Sequence, residues 1–389
     1  PRHSSSAASD VYKRQSVNLR MSSSGRQFSF DKWILFSVLI LSLFGLAMIY
    51  SSSHSLEMTI RQGVYLIVGF IGLFLLAISN FRKMEIFYLH SFWLGLILLI
   101  IVLLIPSNGE ETKRWIDVGI FTLQPSELMR FILPISAASF LTRHPVTKSK
   151  DWWFVIFIAF LSFYLVSIQP DLGTSLIVLL SGLLPVVISG FPWMFIMYGS
   201  LIAIFSLPIL WFSLLEYQKQ RVLTLFNPEA DIYGAGWNIV QSKIAVGSGG
   251  LTGKGYLQGT QSQLNFIPES HSDFIFAVIA EEFGLLGVVL LFLLYGLLIY
   301  RLLLVSFLSS NRFAKIVSGT LSIVLLAYIS INISMVIGLL PVVGMPLPFI
   351  SQGGTALIVN MFTIGIILSL RKEALSLIHI SEPTRQSPI

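Results

Sequence analysis

Three residues that could exchange protons lie close together in the second half of the chain. Glu269, His271 and Asp273 belong to the stretch 261–284, QSQLNFIPESHSDFIFAVIAEEFG, and Asp273 stands directly before a long apolar run. An ionisable side chain at a membrane boundary is costly to remove from water, so it is by default a candidate for function. A carboxylate in such a place can serve as a general base. We take Asp273 as the candidate catalytic residue, with Glu269 and His271 as candidate substrate ligands.

A structural explanation of this stretch stays open. At helical spacing Asp273 shares a face with small residues, Ala277, Ala280, Gly284 and Gly287. Small residues permit close helix packing in a membrane, and an Asp ahead of a helix is a common N-cap.

The composition predicts that these residues belong to a membrane protein. The chain has 389 residues, of which 54% are hydrophobic and only 11% charged, and its mean hydropathy is +0.81. These values exclude a soluble globule and predict an all-α, polytopic integral membrane protein. Cysteine is absent, which excludes disulfides and thiol catalysis. The net charge of +6 does not indicate a nucleic acid partner, because basic residues in membrane proteins mark cytoplasmic loops.

Ten apolar segments could form transmembrane helices. They lie at about 33–50, 64–79, 88–105, 128–141, 152–168, 174–189, 191–214, 273–301, 316–339 and 355–370. The fifth and sixth, separated by QPDLG, could also be one broken or re-entrant feature. We expect one domain over 21–374. The flanking 1–20 and 375–389 resemble translated adapter sequence, with Met21 as the native start.

Basic residues orient these segments. Lys and Arg concentrate in alternate loops, at 82–83, 143–150, 301–315 and 371–372. Because such loops stay in the cytoplasm, both termini are predicted to lie inside. Three motif-rich segments, 106–127, 216–272 and 338–354, then share the outer face of the membrane.

The first of these segments ends in a helix start with a possible ion pair. Gln124, Pro125, Ser126 and Glu127 combine a first-turn proline with groups suited to the positive end of the helix dipole. Glu127 and Arg130 are three residues apart and can pair on one helix face. The pair is either structural or part of a polar cavity wall that orients a charged substrate group.

Two further outward motifs combine polar residues with helix breakers. Asp171 follows a proline and precedes an apolar run, so helix capping explains it as well as a role beside Asp273 does. The segment 338–354, GLLPVVGMPLPFISQGG, cannot form a straight helix. It is either a plain broken turn or a cavity wall in which Ser351 and Gln352 supply polar contacts.

The loop 216–272 is long enough to suggest function. Trp237, Val240 and Ile244 recur at helical spacing and predict a short helix in the membrane interface, with Gln241 and Lys243 on its other side.

The glycine-rich stretch GSGGLTGKGYLQGT in this loop is either a flexible linker or a surface that a ligand approaches closely. We favour a loop that faces a lipid-linked phosphate. Its cations would be Arg221, Lys243 and Lys254.

In their order along the chain and their amino-acid sequences, these motifs resemble those of the SEDS family (shape, elongation, division, sporulation). The resemblance covers about residues 30–373. It is carried by RWIDVGIFTLQPSE, QPDLGTS, the run from NPEADIYGAGWNIVQ to AVIAEEFG, and GLLPVVGMPLPFISQGG. GKGYLQGTQSQL is more similar to the RodA branch than to the FtsW branch. Arg130, Ser272 and Gln352 stand where Lys, Thr and Tyr are usual, and Arg for Lys is not neutral at a tightly fitted site.

The resemblance implies a peptidoglycan glycosyltransferase that polymerises lipid II at the outer face of the cytoplasmic (inner) membrane during cell elongation. It implies a class B penicillin-binding protein as partner, together with the elongation machinery and membrane lipids. By motif match, Asp273 is the family's essential aspartate, and Glu127 and Arg130 are its intramembrane polar pair. The candidate substrate-binding residues are Trp115, Gln124, Ser126, Glu127, Arg130, Asp171, Arg221, Lys243, Lys254, Glu269, His271 and Ser351.

The residues suit that reaction. One carboxylate can deprotonate the acceptor hydroxyl, and partial burial should raise the pKa of Asp273. The undecaprenyl pyrophosphate leaving group departs as an anion and needs cations rather than an acid. The basic residues of the long loop or a divalent cation, Mg²⁺ or Mn²⁺, could supply them, although no motif predicts a metal site. We expect inversion from an α-linked donor to a β-linked polymer.

Two alternatives remain at this point. A flippase for the lipid-linked precursor would also use intramembrane polar residues and broken helices. However, the sequence shows no inverted repeat, and its motifs crowd one face. A non-catalytic scaffold for the penicillin-binding protein would not need an acid surrounded by cations.

Overall fold

The computed structural model describes residues 31–81, 85–104, 114–117, 122–143, 149–214, 216–230, 234–264 and 266–381. Within these ranges all regular secondary structure is helical apart from one antiparallel pair of short strands, β1 (Ile116–Asp117) and β2 (Thr122–Leu123). The helices are α1 (Lys32–Ser53), α2 (Leu56–Ile78), α3 (Glu85–Leu104), α4 (Pro125–Arg143), α5 (Ser149–Ser167), α6 (Leu172–Ile188), α7 (Trp193–Ser213), α8 (Glu216–Phe226), α9 (Ala235–Ser248), α10 (Thr260–Gln263), α11 (Ile275–Leu308), α12 (Arg312–Val336) and α13 (Gly354–Ser381). The predicted all-α architecture is confirmed.

The predicted apolar segments correspond to α1 through α7 and α11 through α13. Among the described residues, five helices are long and apolar enough to cross a membrane: α1, α2, α11, α12 and the Gly354–Arg371 part of α13. Shorter apolar helices lie within α3, α5, α6 and α7. QPDLG separates two helices, because Asp171 caps α6 by accepting a 3.1 Å hydrogen bond from the N–H of Thr174. The polytopic membrane fold is therefore confirmed.

α4 is the most polar of the long apolar helices, and protein covers most of its surface. It packs against α3, α6 and α12, and most of its residues are buried. Phe92, Met129, Leu133, Ile158 and Val178 join α3, α4, α5 and α6 in one apolar cluster. Because its neighbours cover α4, its charged side chains meet protein rather than lipid, where they are tolerated.

The long loop 216–272 contains the predicted short helix, observed as α9, but a different face of the helix packs on the bundle. Ile239, Ser242 and Ala245 are buried, whereas Ile244 is exposed. The Ser242 hydroxyl donates a 2.8 Å hydrogen bond to the carbonyl of Val336 at the end of α12. Gln241, predicted on the polar side, is also buried. The spacing of apolar residues predicted the wrong face of α9, because positions that face lipid and positions that face protein are equally apolar.

α11 is interrupted at Gly284, whose φ of 63° and ψ of −160° are not helical. The predicted continuous face from Asp273 to Gly287 is therefore wrong. Asp273 is not the N-cap of α11 either, because Phe274 occupies that position without a side-chain capping bond. The segment between α12 and α13 is irregular, as its prolines and glycines predicted.

Candidate active site at the start of α11

Asp273 is held where the start of α11 meets the irregular segment before α13. The side-chain amide of Asn332 on α12 donates to the carbonyls of Asp273, at 2.9 Å, and Met345, at 2.7 Å. Gly344 lies with φ at 70°, and a Cβ added there would sit 3.5 Å from Oδ2 of Asp273. The irregular backbone thus runs directly beside the carboxylate.

Ser351 has a structural role at this junction. Its hydroxyl donates to the carbonyl of Ser272 at 2.6 Å and accepts from the N–H of Leu347 at 2.7 Å. The Gln352 N–H donates to the carbonyl of His271 at 3.0 Å. Ser351 was predicted as a substrate contact, but its hydroxyl is buried and already bonded in both directions. His271 contributes its main chain, and its side chain is half-buried.

The surroundings of Asp273 favour its protonated form. Burial raises the pKa of the Asp273 carboxyl to about 7, and the negative charges of Glu269 and Asp171 add to the rise. The positive charges of Arg221 and Arg114 oppose it. A carboxyl that titrates near neutral pH is suited to general base catalysis. The predicted direction of this pKa shift agrees with the structure.

Asp171 belongs to the same electrostatic group and is fixed by Gln124. Besides capping α6, its carboxylate accepts a 3.0 Å hydrogen bond from the Gln124 side chain. The Gln124 N–H in turn donates to the Thr355 hydroxyl at 3.4 Å, and that hydroxyl donates to the carbonyl of Thr122 at 2.7 Å. Burial raises the pKa of Asp171, and the nearby Arg114 opposes the rise. Two of the predicted residues, Gln124 and Asp171, are thus in direct contact.

The predicted ion pair between Glu127 and Arg130 is present. Arg130 donates to Oε2 of Glu127 at 2.7 Å and to the Asn360 side chain at 3.0 Å. Tyr328 donates to the other Glu127 oxygen, and the guanidinium lies 4.4 Å from the centre of its ring. Glu127 and Arg130 are 2% and 3% exposed, so they support the helices around the site from within the bundle. The adjacent Ser126 is also buried, and its Oγ has no hydrogen-bond partner among the described residues.

The three predicted loop cations are in different surroundings. Arg221 is half-buried, donates to the carbonyl of Val342 at 3.3 Å, and is close enough to affect Asp273. Lys243 is exposed and lies against Gly338. Lys254 instead forms a 2.7 Å ion pair with the buried Glu281. The interpretation of Lys254 as a phosphate-facing cation is not supported, because a buried carboxylate already engages its charge.

The two remaining candidates, Trp115 and Glu269, are exposed. Trp115 directly precedes β1 and is 49% exposed. Glu269 accepts a 2.7 Å hydrogen bond from the Ser272 hydroxyl. Sequence reasoning missed Arg114 and Asn332 as site residues. Arg114 is the first residue of the motif RWIDVGIFTLQPSE but was not singled out, and no local signal connects Asn332 to Asp273.

The side chains that the structure describes do not form a metal centre by themselves. Among the described residues, no three or more His, Cys, Asp or Glu side chains are grouped so that they could hold a metal ion. The charge of Glu269 acts on Asp273, but two carboxylates are too few for a protein-only site.

A family model and individual relatives match most of the length of this chain. Residues 31–375 match the FtsW/RodA/SpoVE model, described as cell cycle protein. The chain is 42% identical to peptidoglycan glycosyltransferase MrdB of Escherichia coli K12, over 87% of this chain and 93% of the relative. It is 34% identical to the protein of that name from Helicobacter pylori J99, over 87% and 90%.

Two solved structures share the fold. The first comes from work on the structural coordination of polymerization and crosslinking by a peptidoglycan synthase complex. It matches with a TM-score of 0.79 and 26% identity, over 89% of this chain and 98% of the other. The rod shape determining protein RodA of Thermus thermophilus matches with a TM-score of 0.68 and 25% identity, over 90% and 99%. This chain therefore belongs to the FtsW/RodA/SpoVE family of membrane proteins.

Proposed function

We propose that this protein is a peptidoglycan glycosyltransferase that polymerises lipid II, with Asp273 as the general base. The names of the MrdB relatives support the reaction. The observation that carries the residue assignment is the half-buried Asp273 carboxyl, which lies beside the main chain at Gly344 and whose pKa is raised to about 7.

The reaction balances with this one carboxylate. Ionised Asp273 takes the proton from the acceptor sugar hydroxyl as that oxygen bonds to the anomeric carbon of the donor. The bond from that carbon to the pyrophosphate oxygen breaks on the opposite side, and its electron pair leaves with the lipid pyrophosphate. Attack opposite the leaving group converts the α-linked donor into a β-linked product. No second acid is required, because the leaving group is stable as an anion.

Positive charge near Asp273 serves the departing pyrophosphate. Arg221 and Arg114 are close enough to affect the Asp273 carboxyl. Lys243 is exposed and lies in the same long loop as Arg221. Fixed cations in a partly dehydrated site stabilise developing negative charge strongly. A divalent cation is a further proposed source of positive charge for the pyrophosphate, and the proton transfer to Asp273 does not depend on it.

We further propose an orientation and a partner. Both termini lie in the cytoplasm, and the Asp273 end faces outward across the cytoplasmic membrane. A class B penicillin-binding protein cross-links the new strands as part of the elongation machinery. The similarity to a protein of a peptidoglycan synthase complex that coordinates polymerization and crosslinking supports this pairing.

The test is lipid II polymerisation by the purified protein, with and without its penicillin-binding partner and with Mg²⁺ or Mn²⁺. We expect glycan chains from the wild type and none from a folded Asp273→Asn variant. Asp151→Asn, at the far end of the bundle in the first turn of α5, is the matched control and keeps activity. Chains from folded Asp273→Asn would remove the base role. No chains from the wild type under any condition would favour a flippase or a scaffold.

A further inference from the structure

The interruption of α11 at Gly284 is closed by the glycine-rich loop. A broken helix leaves carbonyls and N–H groups without intrahelical partners. Here the N–H groups of Lys254 and Gly255 donate to the carbonyls of Glu281 and Glu282 at 3.0 and 2.9 Å. In return, the N–H groups of Leu285 and Leu286 donate to the carbonyls of Gly250 and Leu251, at 2.9 and 3.0 Å. The loop therefore supplies hydrogen bonds on both sides of the break.

The glycines of this loop are needed for that close approach. A Cβ on Gly249 would collide with the carbonyl of Ala280, and one on Gly253 with the carbonyl of Glu282. A Cβ on Gly284 would lie 2.8 Å from the main chain of Leu251. The approach that sequence reasoning assigned to a ligand is made by the backbone of α11.

The Glu281 side chain holds the loop from the other side. Its carboxylate is fully buried and accepts from Lys254 Nζ at 2.7 Å, from the Thr260 hydroxyl at 3.0 Å and from the Gln261 N–H at 3.0 Å. Lys254 also donates to Thr260 at 2.8 Å. Charge-assisted hydrogen bonds of this kind are stronger than neutral ones and impose geometry.

The same loop is anchored to α1. The next carboxylate, Glu282, accepts from the Ser51 hydroxyl at 2.5 Å. Tyr256 donates its hydroxyl to the carbonyl of Ala47 at 2.9 Å, and the Gln263 amide donates to the carbonyl of Ser51 at 3.3 Å. The loop thus connects the end of α1 with the first part of α11.

These contacts define a short, rigid piece of helix. Residues 275–283 form about two and a half turns, which places Glu281 about 9 Å along the axis from Ile275, the first helical residue after Asp273. The Asp273 end of this piece is held by Asn332, and the Glu281 end is held by the loop.

We propose that Lys254 and Glu281 are positioning residues, an ion pair between the half-buried Lys254 and the fully buried Glu281 that fixes the first part of α11 and thereby sets the place of the Asp273 carboxylate. This proposal deepens the proposed function and rests on it. It replaces the interpretation of Lys254 as a phosphate ligand. Neither residue touches the reacting atoms, so both act on the rate through Asp273.

A double-mutant cycle tests the pair, with Lys254→Met, Glu281→Gln and the two combined. A misplaced catalytic group can cost about 100-fold in rate. We expect each single change to lower kcat by about 10- to 100-fold with KM for lipid II unchanged, and the double variant to be no worse than either. Lys219→Met is the matched control, because Lys219 pairs with the exposed Glu216 at 2.9 Å on the same outer loop. Its kcat should stay within about twofold of the wild type.

The pH profile separates positioning from general loss of fold. If the Lys254–Glu281 pair holds Asp273 in its half-buried place, breaking the pair exposes the Asp273 carboxyl to water. Because hydration lowers the pKa of a carboxyl, the rise of kcat on the acid side of the profile then moves to lower pH. We expect this shift in Lys254→Met and Glu281→Gln and not in Lys219→Met. Lys254→Arg, which keeps the charge, should restore part of kcat. A raised KM in Lys254→Met with a silent Glu281→Gln would overturn the proposal and make Lys254 a substrate ligand. An unmoved pH profile in folded variants would also overturn it.

Hydrogen exchange provides a readout that does not need activity. Amides of residues 275–283 should exchange faster in both single variants than in the wild type or Lys219→Met. If Glu281→Gln does not fold, Thr260→Val removes one donor to Glu281 without changing a charge, and the same acceleration is expected in smaller degree. Inactive wild-type protein would defeat the proposed function alone. Unchanged exchange in the loop variants would defeat the positioning pair.

Discussion

The side-chain amide of Asn332 donates a 2.9 Å hydrogen bond to the main-chain carbonyl of Asp273. Asn332 is fully buried on α12, and its amide also donates to the carbonyl of Met345 at 2.7 Å. One side chain therefore joins the start of α11 to the irregular segment that passes the Asp273 carboxylate. The position of the proposed base is set from three elements at once.

Removing that amide should damage both stability and rate. Asn332→Ala leaves two buried carbonyls without donors, at a cost of about 1–3 kcal/mol each, and we expect kcat to fall at least about tenfold. Asn311→Ala is the control, because Asn311 caps the opposite end of the same helix. It should lower the melting temperature through a loss of about 1 kcal/mol and leave kcat per folded molecule unchanged. Equal kcat in both variants would contradict the role of Asn332.

Polymerisation should depend on pH through Asp273. Its raised pKa means that the carboxyl is protonated and inactive below about pH 7 and ionised above it. The rate should therefore climb as pH rises through about 7 and then level. Glu269→Gln removes a negative charge that raises this pKa, so the climb should move to lower pH. Glu216→Gln, at an exposed position of α8, should leave the profile in place. The measurement is kcat across pH 5 to 9 at saturating lipid II.

The raised pKa of Asp273 also affects stability. A carboxyl whose pKa is higher in the folded state stabilises the fold at low pH, and this contribution is lost as pH rises toward the folded value. Asp273→Asn should therefore melt at a higher temperature than the wild type at pH 8, and the advantage should shrink as pH falls from 7 to 4. A lower melting temperature for Asp273→Asn at pH 8 would mean that the carboxylate stabilises the fold.

The buried ion pair inside α4 should matter to stability far more than an exposed one. Arg130→Met leaves Glu127 charged and buried, which costs about 3–5 kcal/mol. Lys219→Met removes an exposed ion pair and should cost less than about 1 kcal/mol. Thermal unfolding in one detergent compares the two. Arg130→Lys should fall between them, because an ammonium cannot reach Glu127 and Asn360 with the same planar fork.

The absence of native cysteine makes the proposed orientation easy to measure. Single cysteines at Leu251, which is 69% exposed in the glycine-rich loop, and at the exposed Ser310 between α11 and α12 mark opposite ends of the bundle. In right-side-out vesicles, an impermeant maleimide should label Leu251→Cys and spare Ser310→Cys until the membrane is opened. The reverse pattern would place Asp273 on the cytoplasmic side.

Local spacing was enough to predict much of this protein. Apolar run lengths predicted the helices, because a membrane allows few alternatives to a helix of that length. The spacing of three residues predicted the Glu127–Arg130 pair, and the residue order around Asp171 predicted its capping role. Asp273 stood out because a carboxyl beside an apolar run is expensive unless it is used.

Tertiary structure decided which residues surround Asp273 and what the glycine-rich loop does. Asn332 reaches Asp273 across 59 residues, and Lys254 reaches Glu281 across 27. No periodicity encodes such contacts, since they depend on how separate helices pack. The glycines fitted a ligand loop and a packing loop equally well, because close approach of any backbone requires the same missing Cβ. The buried face of α9 was likewise decided by packing, since lipid and protein interior accept the same side chains.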